Sequence, residues 1–335
     1  MRKYLLLILS LTLFSGVSIQ AQQDEDLLRV VGTTTQAGDA LRIIAGDTIE
    51  LTQLMGAGVD PHLYQPTEAD IRAMNEAQLV VFSGLNLEGQ FESVFEALGE
   101  TETRTFSLGA PVQDLGFTIG GFDLSEEFSD VDDPHFWFDA RNWQISIEEL
   151  AEVLGDLNPD YAELYTDNAT AYNEQLDLLF DWGNEALAQI PDEQRVLVTS
   201  HDAFQYFADA FGFEVIAIQG LSTQDEAGVG DIQGVVNEVV EREIPVMFVE
   251  SSVPPNTIEA VQEAAEAQGW TVEIGVRELY SDAMGSEDSY GETYIGMLAT
   301  NVITILQSFG YDVPEFPDGL EPIPPAEILD MTDTE

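Results

Sequence analysis

The chain has 335 residues, 44% of them apolar, and a formal charge of −53 set by 63 acidic and 10 basic side chains. The length allows two domains and the apolar share excludes a disordered chain, while the charge makes nucleic acid and anionic membrane surfaces poor partners. It contains no cysteine, which excludes disulfides, a thiolate metal site, a cysteine nucleophile and an acylated N-terminal cysteine.

Met1-Arg2-Lys3 followed by the apolar run Tyr4 to Phe14 reads as a secretory leader, with cleavage expected after Ala21. No later run is long and apolar enough to span a bilayer, so no membrane insertion is expected of the mature chain. Losing residues 1–21 removes Arg2 and Lys3 and leaves eight basic residues, all arginine. The acidic residues are spread along the chain. They read as a hydrated, halophile-like surface rather than a cation funnel.

In chain order, Arg29 to Thr34 and Ile49 to Met55 are strand-like, with helical spacing over Gln36 to Ala45 between them. Thr67 with Asp70 resembles a capping box opening a helix to Ala77. Leu79 to Ser83 is a third strand, Glu88 to Leu98 a helix, and Thr103 to Leu108 a fourth strand. Residues 109–133, glycine-rich and acidic with no histidine, read as a disordered loop. Asn142 to Leu154 is helical. From Pro159 to Ile190, Tyr161, Leu164, Tyr165, Tyr172, Leu176, Leu179, Phe180 and Leu187 recur at three- and four-residue spacing. That pattern predicts one long helix, a rigid connector closed by Pro191.

The alternation then restarts. Strands are expected at Arg195 to Ser200, Val215 to Gln219, Val246 to Glu250 and Thr271 to Val276. Helices are expected over Ala203 to Phe211, up to Glu243, Asn256 to Gln268, and Tyr290 to Phe309. Four βα units in each half predict parallel sheets. The tail from Pro314 is expected to be irregular.

The chain has three histidines. His62 and His135 each close an Asp-Pro-His tripeptide, and His201 directly follows the first strand of the second half. Ligands of open α/β sheets bind outside the carboxyl ends of the strands, which is where His62 and His201 fall. Asp282, after the last strand, adds a carboxylate. Three imidazoles and a carboxylate suit a divalent ion. Turn chemistry accounts for Asp-Pro but does not ask for histidine next. The proline stiffens each loop. Asp60 and Asp133 can orient the rings or cap nearby amides, and Glu250 is a further cleft candidate.

Six segments carry a family resemblance: GAGVDPHLYQPTEADI at 56–71, LVVFSGLNLEG at 79–89, DPHFWFDARN at 133–142, TSHDAFQYFADAFG at 199–212, IQGLSTQDEAG at 218–228 and ELYSDAMG at 278–285. They resemble the TroA-like zinc- and manganese-binding solute-binding proteins of bacterial ABC importers, in order and spacing, from about residue 29 to 308. The resemblance implies an α/β protein of two lobes of parallel β/α units joined by one long rigid helix, with a metal between the lobes. With the leader and tail read above, the expected divisions are a leader at 1–21, an N-terminal lobe at 22–157, the connecting helix at 158–190, a C-terminal lobe at 191–313 and an acidic Pro-rich tail at 314–335.

The ligands implied for Zn²⁺ or Mn²⁺ are His62, His135, His201 and Asp282. Zinc-specific members often carry a histidine-rich loop. Here 109–133 has none, which leaves manganese open. The implied function is capture of the ion outside the inner membrane by a freely soluble periplasmic monomer, and delivery to an ABC permease. Affinity is then expected to fall as pH drops through ~6.5, with only small lobe movements. The rival readings are a zinc-dependent hydrolase, using the three histidines, a metal-bound water and Glu250 as base, and a metal-dependent adhesin.

Overall fold

The computed structural model describes residues 27–122 and 131–329; the expected leader lies outside the described residues. In the first half, β1 (Leu28–Gly32), β2 (Ile49–Gln53), β3 (Leu79–Phe82) and β4 (Arg104–Ser107) form one parallel sheet in the order β2-β1-β3-β4. Val30, Leu79 and Val81 face one apolar cluster, and Val31 and Val80 face another on the opposite side. Burial on both faces is why these strands read as continuous apolar runs.

The second half repeats the order. β5 (Val196–Thr199) pairs in parallel with β6 (Glu214–Ala217), and β7 (Val246–Met247) with β8 (Glu273–Ile274). The Phe248 amide donates to the Val198 carbonyl at 2.8 Å and joins the pairs as β6-β5-β7-β8. β7 and β8 are shorter than the sequence predicts, although pairing resumes beyond them, where Glu250 bridges to Leu279 in parallel.

Some helices start where side chains can replace missing backbone partners. Thr34 accepts the Ala37 amide ahead of α1 (Thr35–Ala45), and Thr67 and Asp70 form a reciprocal capping box on α2 (Glu68–Glu76). α3 (Glu92–Leu98) is shorter than the expected helix from Glu88: Gly89–Phe91 is a 3₁₀ turn, and Glu88 lies outside the helix as a buried acceptor. The expected loop at 109–133 is corrected in part, since α4 (Ala110–Asp114) opens it and Phe122 bridges to Val131.

α5 (Ala140–Leu157) runs back to the long helix α6 (Ala162–Leu187), which a 3₁₀ turn at Pro159–Tyr161 precedes. Tyr165, Ala169, Tyr172, Leu176, Leu179, Gly183 and Ala186 are buried along α6 at alternating four- and three-residue steps. Leu164, counted in the sequence pattern, is instead exposed. Losing a buried leucine such as Leu176 to alanine costs about 2–5 kcal/mol.

In the second half come α7 (Gln205–Phe211), α8 (Val229–Glu241), α9 (Asn256–Ala267) and α10 (Tyr294–Ser308). α10 is buried on every side from Tyr294 to Gln307. One apolar cluster joins Leu41 of α1, Ile147 of α5, Leu176 of α6, Leu197 of β5 and Ile303 of α10. The long helix is therefore packed into a core that both halves share. Over its described residues, 314–329, the tail is mostly irregular, but a short helix α11 (Ala326–Leu329) forms where Gln307 donates to the Ile328 and Leu329 carbonyls. Among the described residues, no helix is long and apolar enough to cross a membrane.

Candidate metal centre

Both Asp-Pro-His turns are built alike. The Asp60 carboxylate accepts the His62 amide at 2.8 Å, and Asp133 accepts the His135 amide at 2.9 Å. Pro61 and Pro134 fix φ between them. The turns differ at the ring. Asp133 Oδ1 also lies 2.7 Å from His135 Nδ1, whereas His62 Nδ1 has no hydrogen-bond partner among the described residues. Asp133 is itself pinned, with its amide donating to the Ile119 carbonyl and its carbonyl accepting the Tyr206 hydroxyl.

His201 sits where β5 ends. Glu250 holds it twice, accepting the backbone amide at 2.8 Å on Oε1 and facing Nδ1 at 2.5 Å with Oε2. Asp282 lies between β8 and α10. Asn301 of α10 grips the preceding Tyr280 at both its amide and its carbonyl, and Ser281 and Ser252 share a 2.7 Å hydroxyl contact.

These elements bring His62, His135, His201 and Asp282 together, with one ligand atom from each lying within 4.8 Å of the others and all four side chains buried. His135 Nε2 is 3.4 Å from both His62 Nε2 and His201 Nε2. A tetrahedron of nitrogens around a zinc ion at 2.0–2.1 Å has edges of about 3.4 Å, so this spacing fits one shared cation. Asp282 Oδ1 lies 3.2 Å from His135 Nε2, and Oδ2 lies 3.3 Å from His201 Nε2 and 3.9 Å from His62 Nε2. Both carboxylate oxygens thus face the same point, and the buried Oδ1 has no other partner. Orienting Nδ1 by a carboxylate leaves Nε2 free to ligate, the arrangement that raises ligand basicity.

The electrostatics follow the same division. Burial is the largest influence on His62 and pushes it down to about 3. Burial also opposes the cation on His135, but Asp133 and Asp282 outweigh it and lift the ring to about 9. Burial is likewise outweighed at His201, where Glu250 and Asp282 hold the imidazole well above its ordinary value. Burial raises Asp282, but the neighbouring imidazoles hold it well below the usual carboxylate range. The cluster is primed to exchange bound protons for a divalent ion.

The chain matches the family described as zinc-uptake complex component A, periplasmic (ZnuA), over residues 30–308. It belongs to that family. Within it, the chain is 38% identical over 293 residues to the manganese-binding lipoprotein MntA of Bacillus subtilis (strain 168), covering 88% of this chain and 93% of the relative. It is 40% identical over 278 residues to the zinc-binding protein TroA of Treponema pallidum (strain Nichols), covering 83% and 87% respectively. The solved periplasmic zinc binding protein TroA from Treponema pallidum superposes with a TM-score of 0.77 at 38% identity, over 83% of this chain and 98% of that one.

For this ZnuA-family chain, sequence reasoning passed over several residues around the centre. Gln36 Nε2 donates to the Asp282 carbonyl at 3.0 Å, and Thr35 accepts the Met284 amide at 2.9 Å. Ser252 donates to Asp282 Oδ2 at 3.3 Å. The available signal was the polar run Thr33 to Gln36, which follows β1 directly and is buried throughout.

Proposed function

We propose that this protein captures Zn²⁺ or Mn²⁺ outside the inner membrane and hands it to the permease of an ABC importer, with His62, His135, His201 and Asp282 as the ligands. The observation that carries this reading is the convergence of three Nε2 atoms and both Asp282 oxygens on one buried point. The relatives' names support the same cargo, a zinc-binding protein in one case and a manganese-binding lipoprotein in the other. An imidazole-rich set with one carboxylate accepts both metals, and zinc binds such a set more tightly.

Catalysis is disfavoured by the same geometry. Asp282 stands where a hydrolytic zinc keeps its water. Glu250, the base a hydrolase would need, spends both oxygens on His201. The reading also takes residues 1–21 as a cleaved leader and the mature chain as a freely soluble periplasmic monomer. It takes 22–157 and 191–313 as the two lobes, 158–190 as their connector and 314–335 as a tail. Because the connector is packed into a core that both halves share, release is expected to need only a small relative shift of the lobes.

The test is metal analysis of protein purified from its native compartment, beside His201→Ala treated identically. Wild type is expected to carry about one equivalent of zinc or manganese and the variant almost none. Full occupancy in the variant would refute the four-ligand site.

A further inference from the structure

His135 and His201 are each oriented by a carboxylate of their own lobe, Asp133 and Glu250. His62 has no such partner. Its turn is held from across the cleft instead. The buried Thr223, in the loop between β6 and α8, donates its hydroxyl to Asp60 Oδ2 at 2.6 Å. Asp60 Oδ1 in turn accepts the His62 amide. The adjacent Gln224 donates to the His62 carbonyl at 3.3 Å. Together Thr223 and Gln224 tie both sides of the His62 peptide to the opposite lobe. They do so beside a cavity of about 750 Å³, bounded by Phe82, Leu85 and Phe95 on one wall and Leu221 on the other.

We infer that the loop Gly220–Asp225 is a latch on the His62 turn, and that Thr223 is a positioning residue that sets how fast the metal leaves. The inference rests on the proposed metal-binding function. Tyr206 and Gln36 also bridge the cleft, to Asp133 and to the Asp282 carbonyl, but the His135 ring and the Asp282 carboxylate keep partners in their own lobes, Asp133 and Ser252, so His62 is the ligand whose side chain depends most on the lobes being together. Separating the lobes breaks the Thr223–Asp60 and Gln224–His62 bonds, frees the turn, and swings out a ring whose Nδ1 no group in its own lobe holds. The ion is then left with His135, whose Asp133 partner moves with it, and with the second-lobe pair His201 and Asp282.

The probe is zinc itself. Zinc-loaded wild type, Thr223→Val and Thr223→Ser are mixed with excess EDTA, and release is followed through tryptophan fluorescence. Trp137 stands edge-on to His135 with ring centroids 5.3 Å apart. Valine keeps the shape of threonine and removes the donor. Release is expected about tenfold faster in Thr223→Val, the loss of one hydrogen bond to a carboxylate, with Thr223→Ser within about twofold of wild type. The thermal midpoint of the metal-free protein should stay within about 2 °C in both variants, since one hydrogen bond of about 1 kcal/mol shifts the midpoint of a chain this long by only a degree or two.

A wild-type release rate in Thr223→Val would overturn the latch. So would equally fast release from the serine variant, or a metal-free midpoint lowered in proportion to the change in rate. If wild type took up no zinc or manganese at all, the binding function would fail and the latch with it. Uptake by wild type with unchanged release in Thr223→Val would sink the latch alone.

Discussion

In the first lobe Glu88, from the turn after β3, reaches Thr33 just beyond β1; in the second Glu250, just beyond β7, reaches His201 just beyond β5. The strand orders correspond, so the two glutamates occupy matching places: each ties the end of a third strand to the end of a first. Both are buried. Their tasks differ. Glu88 accepts the Thr33 hydroxyl at 2.7 Å, the Ser83 amide at 2.8 Å and the Gly84 amide at 3.1 Å. It shores up a turn in which Leu85 and Asn86 take φ values of 53° and 66°, a costly conformation for such residues. Gly84 itself sits at φ 84°, where a Cβ would run into the Ser107 hydroxyl. Glu250 stabilises no such turn and instead aims an imidazole. A buried glutamate at a strand end is thus no mark of function by itself; what it faces decides.

The strongest way to break this comparison is through protons. Asp133 and Glu250 hold their histidines in the protonated form to higher pH than an ordinary imidazole. A metal must displace those protons, so affinity should keep rising above pH 7 and through the region near 9 where His135 titrates. Each displaced proton adds about one decade of affinity per pH unit below the relevant pKa. That differs from the expectation for free imidazoles, which levels off near ~6.5. Calorimetric zinc titrations from pH 6 to 9 would check it, and a plateau already reached at pH 7 would count against the carboxylate coupling.

Glu250→Gln comes next in size. At pH 8.5 it should weaken zinc binding by about 10–100-fold, the usual effect of removing a ligand's orienting partner. It should also flatten the pH dependence, because Glu250 contributes the largest of the influences that raise His201. A glutamate that merely supported the fold would lower affinity equally at every pH.

Much of this could be read from the sequence, and the exceptions have physical reasons. With three histidines in the chain, two in identical tripeptides and one at a strand end, the imidazole set was legible from position alone. Asp282 is one of 63 acidic residues; its place after the last strand made it a candidate, and the family resemblance strengthened it. Asp133 and Asp60 look the same in sequence and behave differently, because ring orientation depends on what packs around the turn. Gln36 and Asp282 meet across 246 positions, a separation that local pattern cannot bridge. Glu88 was read as the start of a helix because its spacing fits α3. The left-handed turn before it leaves no trace in hydrophobic periodicity.

The smallest expected effect is the complement of the second. Glu88→Gln keeps the size of the side chain but turns one of its two accepting oxygens into a donor. Either orientation then points an amide nitrogen at existing donors, at Gly84 on one side or at Ser83 and Thr33 on the other. The cost of one mispaired buried group is about 1–3 kcal/mol. It should appear as a lower denaturation midpoint of the metal-free protein, with zinc affinity within about twofold of wild type, because no ligand is oriented by Glu88. Measured side by side, Glu88→Gln should lose stability and keep affinity, while Glu250→Gln should lose affinity with a changed pH profile. If Glu88→Gln weakened zinc as much as Glu250→Gln does, the two glutamates would be equivalent after all. The site would then depend on the integrity of both sheets rather than on the aim of one imidazole.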